Sequence, residues 1–427
     1  MPIHDPPRGA RWLTALLALA CALVLPAGRA ANAAADGTPF DARRAWDELS
    51  ELLRLDYPYL QRPGVDGAAI LAEFAPRALA TTEPRAFIRV ADQMARNFAD
   101  PHLHVGPGFD DDPSLVPTAS DLDGDVRDGR FVVRDVRADS DASRQGVEAG
   151  AMVLAIDGRE PAVAIESLLG RPAAALSRAQ LAYGLNLALA GTREQPRRLL
   201  LQQHGQTREF ALRAAAEQAR AVQAAPAVDS ERRGTLGIIR FNNSLGRDET
   251  IAAFDRAVQS LLDAPALVID LRNTPSGGTT TVARAILSHF TARERPYQVH
   301  TVPGELRRYG VGRKFVEYVV PRAPHYRGRV FVLGGRWTGS MGEGIVIGFD
   351  ALGARTVGSE MGHLLGALFH ETLSASGAHV ELAEEQLFHV DGTPREAFRP
   401  RLYVEPAEAT PQNDPALQAV QRALRAR

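Results

Sequence analysis

The chain has 427 residues, 45% of them hydrophobic, and a formal net charge of -2 at pH 7. This length is too great for one small core and predicts two or three domains. Because the charge is close to neutral, nothing in the composition favours nucleic acid as a partner. Basic residues are almost all arginine, and Lys314 is the only lysine in the sequence.

The N-terminus has the pattern of an export signal. Arg8 and Arg11 precede the apolar run WLTALLALACALVLPA, and small residues follow it. The run is too short for a secure membrane span, so we predict a signal peptide over residues 1–33, cleaved near Ala30–Ala35, and no stable span afterwards. The mature protein is then expected in the periplasm or secreted. Cys21, the single cysteine, lies in this segment, so the mature chain would have no disulfide.

Residues 37–115 predict a small helical domain. In AWDELSELLRLDYPYL and EPRAFIRVADQMARNFAD the apolar residues recur at helical spacing. The two apolar faces expected from this spacing are Trp46, Leu49, Leu52 and Leu53, and then Phe87, Val90, Ala91 and Met94. The segment ends in DPHLHVGPG, where proline and glycine break the helix.

Residues 124–213 predict a β-rich block. RFVVRDVRADSDASRQGVEAGAMVLAIDGREP alternates strand, short helix and strand, and RRLLLQQHGQTREFALR predicts a hairpin that turns at His204 and Gly205. The pattern resembles a PDZ domain. The resemblance implies that the glycine-rich segment from Gly146 to Gly158 helps form a strand edge that binds an extended peptide. A small β domain without a ligand is the alternative.

Residues 234–406 predict an α/β core, followed by a C-terminal tail over residues 407–427. ALVIDLRNTPSGGTT is an apolar strand that ends in a Gly-rich loop, and an apolar strand without alternation indicates a sheet covered on both faces. Sites in such sheets lie beyond the strand ends. We therefore expect the loop at Gly277 and Gly278 to converge with the turn at Ser340.

The turn RWTGSMGEG follows the strand-like VFVLGG and opens into the apolar IVIGFDAL. A strand, a small-residue turn and a helix present a serine hydroxyl beside free backbone N–H groups, which makes Ser340 the candidate nucleophile. A serine that only caps the helix is the alternative interpretation of this turn by itself.

Together, IDLRNTPSGG, RWTGSMGEG, the PDZ-like block and the segment ending in DPH resemble the serine peptidases that include tail-specific (carboxyl-terminal processing) proteases and tricorn-core proteins. The resemblance implies a ClpP/crotonase-like α/β catalytic core with an N-terminal helical segment and an inserted PDZ-like domain. It implies a peptide or protein substrate and no cofactor. It also implies an oxyanion hole formed by the Met341 N–H and an N–H from the loop of Gly277 and Gly278, because two fixed donors stabilise a tetrahedral intermediate.

The general base divides this family. In the tail-specific branch, a lysine in the turn after the nucleophile's helix deprotonates the serine. Here that turn reads VGSEMGHLLGA and has no lysine, and Lys314 precedes Ser340. The chain thus resembles the lysine-lacking, tricorn-like branch, which implies a histidine base at His102 in FADPHLHVG. His104 is a second candidate, and Asp100 is expected to help position the loop.

The same resemblance implies that Glu396, in HVDGTPREAFRPRLYV, orients a polar partner of His102 or stabilises its charged form. Glu343, in the nucleophile turn, is the competing carboxylate. His363 stands roughly where the lysine is missing, and is expected either to line the substrate pocket or to be structural. Zinc at His102 and His104 is disfavoured, because no second cluster of ligands accompanies them.

The sequence therefore predicts an exported serine endopeptidase that forms an acyl-enzyme at Ser340. The alternative is a catalytically inactive protein of the same fold that binds a ligand or peptide, because VGSEMGHLLGA departs from the proteolytic pattern. The retained RWTGSMGEG together with His102 favours the enzyme. The oligomeric state is not predicted.

Overall fold

The computed structural model describes residues 39–405 and 413–426. The predicted signal peptide, residues 1–33 with Cys21, lies outside the described residues and stays a prediction. Among the residues that are described, no helix combines the length and the apolar character needed to cross a membrane.

Three helices and three short strands form the N-terminal part. They are α1 (Ala42–Leu55), β1 (Gln61–Arg62), β2 (Val65–Asp66), α2 (Gly67–Leu79), α3 (Pro84–Arg96) and β3 (His104–Gly106). Asp41 begins α1, because its side chain accepts a hydrogen bond from the Arg44 N–H at 3.0 Å. Leu49, Phe87 and Met94 are fully buried, so the two apolar faces predicted from the sequence are confirmed at these positions.

The β-rich block follows. Its elements are β4 (Leu122–Arg127), β5 (Arg130–Val136), α4 (Asp141–Gln145), β6 (Met152–Ile156), α5 (Pro161–Leu169), α6 (Arg178–Ala190), β7 (Arg197–Gln203) and β8 (Gln206–Leu212). The strands form one antiparallel sheet in the order β4-β5-β6-β7-β8. His204 and Gly205 have φ of 51° and 76°, and they form the predicted hairpin turn between β7 and β8.

The two outermost strands of this sheet are β4 and β8. β6, which lies between Gly146 and Gly158, pairs with β5 on one side and β7 on the other. It is therefore an inner strand, and does not form the strand edge predicted for this segment. Helix α6 covers the β4 edge instead: the Asn186 side chain accepts from the Gly124 N–H at 2.8 Å and donates to the Gly124 carbonyl at 2.9 Å. A Cβ on Gly124 would lie 2.6 Å from the Leu185 side chain, so the close approach needs glycine. Asn186 thus uses the backbone groups that an added peptide strand would need here.

The remaining elements belong to the α/β core. In chain order they are α7 (Ala215–Ala224), β9 (Val228–Arg233), β10 (Leu236–Phe241), α8 (Glu249–Ser260), β11 (Ala266–Asp270), α9 (Thr280–Leu287), β12 (Arg295–Thr301), α10 (Pro303–Tyr309), β13 (Lys314–Val319), β14 (Arg329–Gly334), α11 (Met341–Ala351), β15 (Arg355–Gly358), β16 (Ala367–Thr372), β17 (His379–Phe388), β18 (Leu402–Tyr403) and α12 (Pro415–Arg425). Short 3-10 helices lie at Ala173–Ala175, Ser288–Phe290 and Arg395–Ala397.

A six-stranded sheet in the order β18-β15-β14-β11-β10-β9 forms the centre of the core, and only β9 is antiparallel to its neighbour. Every residue of β11 is buried, as its unbroken apolar run predicted. Helices α8, α9 and α11 cover one face. Helix α12 covers the other, where Leu417 and Val420 pack with Val268 and Phe331. The predicted C-terminal tail is therefore corrected: its amphipathic helix buries an apolar face on the sheet.

A second sheet, in the order β13-β12-β17-β16, lies beside the first, and β3 also pairs with β17. The β3 pairing brings the segment that contains His102 into the core. The N-terminal helices rest on this sheet, since Leu49 and Phe98 share an apolar cluster with Leu365 and Val380. The described residues from Phe40 onward accordingly belong to one compact unit.

Candidate active site

Ser340 lies between β14 and α11, at the carboxyl end of a parallel strand. Its backbone has φ 49° and ψ -115°, a conformation that costs a non-glycine residue about 1–3 kcal/mol and is concentrated at functional sites. Ser340 is the N-cap residue of α11, but a serine that only caps a helix adopts an extended backbone, so capping alone does not account for this strain. The turn holds Ser340 at the helix N-terminus, where the unpaired N–H groups favour negative charge.

The loop after β11 lies against this turn. The Thr274 N–H donates to the Trp337 carbonyl at 2.8 Å. A Cβ on Gly277, which has φ 63°, would lie 3.0 Å from the Ser340 Oγ and 2.9 Å from the Met341 nitrogen. Glycine therefore keeps open the space in front of the hydroxyl and of the Met341 N–H. A substrate carbonyl needs this space.

The backbone supplies two candidate oxyanion donors. Met341 is the first residue of α11, so its N–H has no carbonyl partner within the helix. The Gly277 N–H donates to the Thr274 carbonyl at 3.1 Å, which leaves the Gly278 N–H as the candidate donor from this loop. Of the two predicted glycines, Gly277 provides space and Gly278 is the candidate donor.

Glu343 joins the nucleophile turn to the loop after β15. Its side chain is buried, and its carboxylate accepts hydrogen bonds from the N–H groups of Ser340 at 2.9 Å, His363 at 2.9 Å and Leu364 at 3.2 Å. Burial raises the pKa of Glu343 to about 7, and nearby Arg395 and these donors oppose the rise. In its ionised form, the Glu343 carboxylate is a fixed link between the Ser340 turn and the loop.

Arg395 holds the same loop from its other side. The buried guanidinium donates to the Leu364 carbonyl at 2.6 Å and to the Gly366 carbonyl at 2.8 Å. Hydrogen bonds to charged groups are stronger than those between neutral groups. Residues 363–366 are therefore fixed through both their N–H and their carbonyl groups.

His102 is 5% exposed and is oriented by that loop. Its Nδ1 lies 2.7 Å from the Leu365 carbonyl; because a carbonyl only accepts, Nδ1 carries the proton and Nε2 is the acceptor. The Asp100 carboxylate accepts from the His102 backbone N–H at 2.9 Å and from the Tyr57 hydroxyl at 2.8 Å. Burial lowers the pKa of His102. The imidazole is thus neutral and able to take a proton at neutral pH.

His363 begins the loop that orients His102, and Glu396 follows Arg395 in the chain. Glu396 is partly buried in the 3-10 helix Arg395–Ala397, and burial raises its pKa. The His363 Nδ1 donates to the Glu396 carbonyl at 2.9 Å. Burial and the charge of Arg336 lower the pKa of His363 to about 4, so this histidine is neutral and its Nδ1 is oriented by a carbonyl.

The other candidates occupy different positions. His104 begins β3, and its Nε2 donates to the Pro101 carbonyl at 2.9 Å. Lys314 is exposed at the start of β13, an edge strand of the second sheet. Within residues 39–405 and 413–426, no group of three or more His, Cys, Asp or Glu side chains is arranged to hold a metal ion.

The β-rich block contacts both catalytic loops. The Arg137 guanidinium donates to the Asn273 side-chain oxygen at 2.6 and 3.2 Å, and Asn273 belongs to the loop after β11. In the nucleophile turn, Arg336 pairs with Asp123 of β4 at 3.0 Å, and the Trp337 indole N–H donates to the carbonyl of Ser120, just before β4, at 2.9 Å. The block therefore contacts the loops that carry the candidate nucleophile and the candidate oxyanion donors.

Three residues of the site were not identified from the sequence: Tyr57, Leu365 and Arg395. Tyr57 and Leu365 act through a hydroxyl and a main-chain carbonyl, and no local motif marks such contacts. For Arg395, the only indication in the sequence is its position directly before Glu396.

Comparison with known proteins agrees with this geometry. Residues 234–397 match the model of peptidase family S41. The photosystem II D1 C-terminal processing protease superposes with a TM-score of 0.56 at 15% identity, covering 90% of this chain and 97% of that chain. Mature CPAF complexed with lactacystin superposes with a TM-score of 0.57 at 16% identity, covering 90% and 97%. No curated protein matches the chain in sequence.

At these identities the structural neighbours show the fold, a mixed α/β S41 peptidase fold with several sheets. The family match adds the class of activity, that of a peptidase, and the matched segment includes the strand, turn and helix around Ser340. The predicted resemblance to tail-specific serine peptidases is thereby confirmed. Residues 234–397 form a peptidase family S41 domain, and the chain that carries it is a serine-type peptidase.

Proposed function

We propose that the chain is an exported endopeptidase that cleaves peptide bonds through an acyl-enzyme at Ser340, with His102 as the general base. One observation carries this proposal: a single loop links the two residues. Glu343 ties the loop to the Ser340 turn through the His363 and Leu364 N–H groups, and the next carbonyl in that loop orients the His102 ring. Support for export comes only from the N-terminal sequence pattern.

In the proposed reaction, the His102 Nε2 takes the Ser340 hydroxyl proton as Oγ bonds to the scissile carbonyl carbon. The N–H groups of Met341 and Gly278 stabilise the charge on the carbonyl oxygen. The imidazolium then gives its proton to the leaving amine, and the acyl-enzyme forms. Water then attacks the acyl carbon as His102 takes its proton, the bond from the acyl carbon to Oγ breaks, and the imidazolium returns the proton to Ser340. Glu396 stabilises the charged imidazole during both steps.

The test is hydrolysis of an internally quenched peptide library by the purified mature chain, with Ser340→Ala prepared in parallel. Endopeptidase action gives internal cleavages that disappear in the variant. Binding without cleavage would instead support the alternative of an inactive ligand- or peptide-binding protein. For export, the mature N-terminus of the protein recovered outside the cytoplasm should lie near residues 30–35; an uncleaved N-terminus would contradict that part of the proposal.

The pH dependence of kcat/KM should show an acid limb at or below about pH 7. Two groups act in their deprotonated forms: His102, whose pKa burial lowers, and Glu343, whose pKa burial raises to about 7. Both lose a proton as pH rises, so activity should increase with pH through this range. A pH titration of initial rates measures it. A limb well above pH 8 would indicate a lysine base and contradict the assignment.

The β-rich block should support catalysis on short and long substrates alike. Arg137→Lys keeps the charge but loses the forked contact with Asn273. The loop that carries Gly278 should shift, and kcat should fall about 10- to 100-fold for a short peptide and for an unfolded protein.

The matched control is Arg178→Lys, in the same block, where the exposed Arg178 pairs with Asp125 at 2.8 Å; it should keep wild-type kcat. If the block instead acts by docking peptides, as its PDZ-like pattern predicts, Arg137→Lys should leave both rates unchanged. Deleting residues 124–213 should then impair long substrates much more than short ones. That result would contradict the bracing role.

A further inference from the structure

Tyr59 lies in the loop between α1 and β1 and is only 4% exposed. Its hydroxyl has no hydrogen-bond partner among the described residues. Buried hydroxyl groups are nearly always paired, because burial without a partner is destabilising. This unpaired hydroxyl therefore needs an explanation, and its surroundings supply one.

The Tyr59 ring lies against the loop that orients His102. A Cβ on Gly366 would lie 3.1 Å from the Tyr59 Cε2, and the preceding residue, Leu365, provides the carbonyl that holds the imidazole. On another side, Tyr59 makes an edge contact with Tyr57, with ring centroids 6.0 Å apart. The two buried tyrosines are thus neighbours, but only the Tyr57 hydroxyl is already used, on Asp100.

Four charged side chains of the site act on the Tyr59 hydroxyl, and Glu396 has the strongest effect. The other three are Arg395, Asp100 and Glu343. Burial, and then the Glu396 carboxylate, raise the pKa of Tyr59 far above its usual value. The hydroxyl is therefore protonated and available as a donor.

Among the described residues, Glu396 is the acid of this group whose carboxylate has no hydrogen bond from another segment; Arg395 and Arg62 act on it through their charge. Asp100 accepts from His102 and Tyr57, and Glu343 accepts from three backbone N–H groups. For Glu396, a hydrogen bond from its own backbone acts on the carboxylate, and burial raises its pKa. A donor from a different segment would keep this carboxylate ionised and fix its direction.

We propose that Tyr59 is a positioning residue of the peptidase: its hydroxyl donates to the Glu396 carboxylate when His102 becomes charged, and holds that carboxylate towards the imidazolium. A neutral donor suits this place. Arg395 already disfavours the charged form of His102, and a phenol stabilises the carboxylate without adding a further positive charge. This inference rests on the proposed function, because it needs His102 as the base and Glu396 as its acidic partner.

Tyr59→Phe removes the hydroxyl and keeps the ring. We expect kcat to fall about 10- to 100-fold, the scale of one hydrogen bond to a charged group, with KM unchanged. The melting temperature should stay the same or rise, because the variant loses an unpaired buried hydroxyl. Tyr57→Phe is the matched control: it loses the 2.8 Å bond to Asp100, so its melting temperature should fall.

The double variant with Glu396→Gln decides whether Tyr59 acts through Glu396. If it does, adding Tyr59→Phe to Glu396→Gln should change kcat less than twofold, whereas the same change in the wild type gives the full loss. Equal losses in both backgrounds, or wild-type kcat in Tyr59→Phe, would overturn the proposal. Wild-type turnover that disappears in Ser340→Ala establishes the proposed function first. A negative result at Tyr59 then contradicts only the role of Tyr59.

Discussion

Replacing Ser340 with alanine should abolish peptide hydrolysis while the fold keeps nearly its wild-type stability. In the proposed mechanism the Ser340 Oγ forms the acyl bond, and it lies beside the Met341 nitrogen and the open space at Gly277. We expect kcat to fall about 10⁴-fold or more, because the remaining rate would come from binding and the oxyanion donors alone. A single small turn hydroxyl contributes little packing, so the melting temperature should change by only a few degrees.

Ser359→Ala is the matched control for this variant. Ser359 lies in the loop after β15, and its hydroxyl donates to the Glu360 carbonyl at 3.3 Å. It should retain wild-type turnover of a fluorogenic peptide. Hydrolysis at the wild-type rate by Ser340→Ala, in a preparation free of other peptidases, would remove Ser340 from the mechanism.

Replacing His102 should be the next most damaging change. His102→Gln is the informative variant, because glutamine keeps a polar side chain that can donate a hydrogen bond but has no basic nitrogen. We expect kcat to fall about 10²- to 10⁴-fold, the usual contribution of a general base. Initial rates at saturating peptide, together with a thermal melt to verify folding, measure the effect.

Lys314→Ala should be close to neutral, since Lys314 is exposed on the edge strand β13. His104→Ala should cost much less than the change at His102, because the His104 ring bonds to the Pro101 carbonyl of its own loop. An active His102→Gln, or an inactive Lys314→Ala that still folds, would refute the histidine base.

The parts of the candidate site that are formed by residues close together in the chain could be predicted from the sequence. The strand, turn and helix around Ser340 are coded by an apolar run, small residues and a second apolar run, and the Gly-rich loop follows a buried strand. Because β11 and β14 are parallel neighbours, their carboxyl ends bring these two loops together. That convergence follows from the general geometry of parallel sheets.

Contacts between segments that are far apart in the chain could not be predicted from the sequence. The bonds of Glu343 to the loop of His363 and Leu364 depend on how α11 packs beside β15. Nothing in the local pattern around Asn186 or Gly124 shows that α6 would cover the edge of β4. Both features are set by tertiary packing, which hydrophobic periodicity does not specify.

The same limit explains the corrected C-terminal tail. The apolar residues of α12 repeat at helical spacing, but the predicted core ended before them, in the proline-containing segment that precedes the helix. In the structure, Asp414 caps α12 through the Leu417 N–H at 3.0 Å and also pairs with Arg272 at 2.8 Å. A charged pair between residues this far apart becomes visible only once the sheet is formed.

Labelling with a fluorophosphonate probe tests the central claim most directly, because the probe bonds only to a serine whose hydroxyl is activated by a base beside an oxyanion hole. The purified mature chain should gain one adduct, which mass spectrometry places on the peptide that contains Ser340. Ser340→Ala should not be labelled, and His102→Gln should be labelled much more slowly. Labelling at a different serine, or peptide hydrolysis that persists without any adduct, would contradict the account.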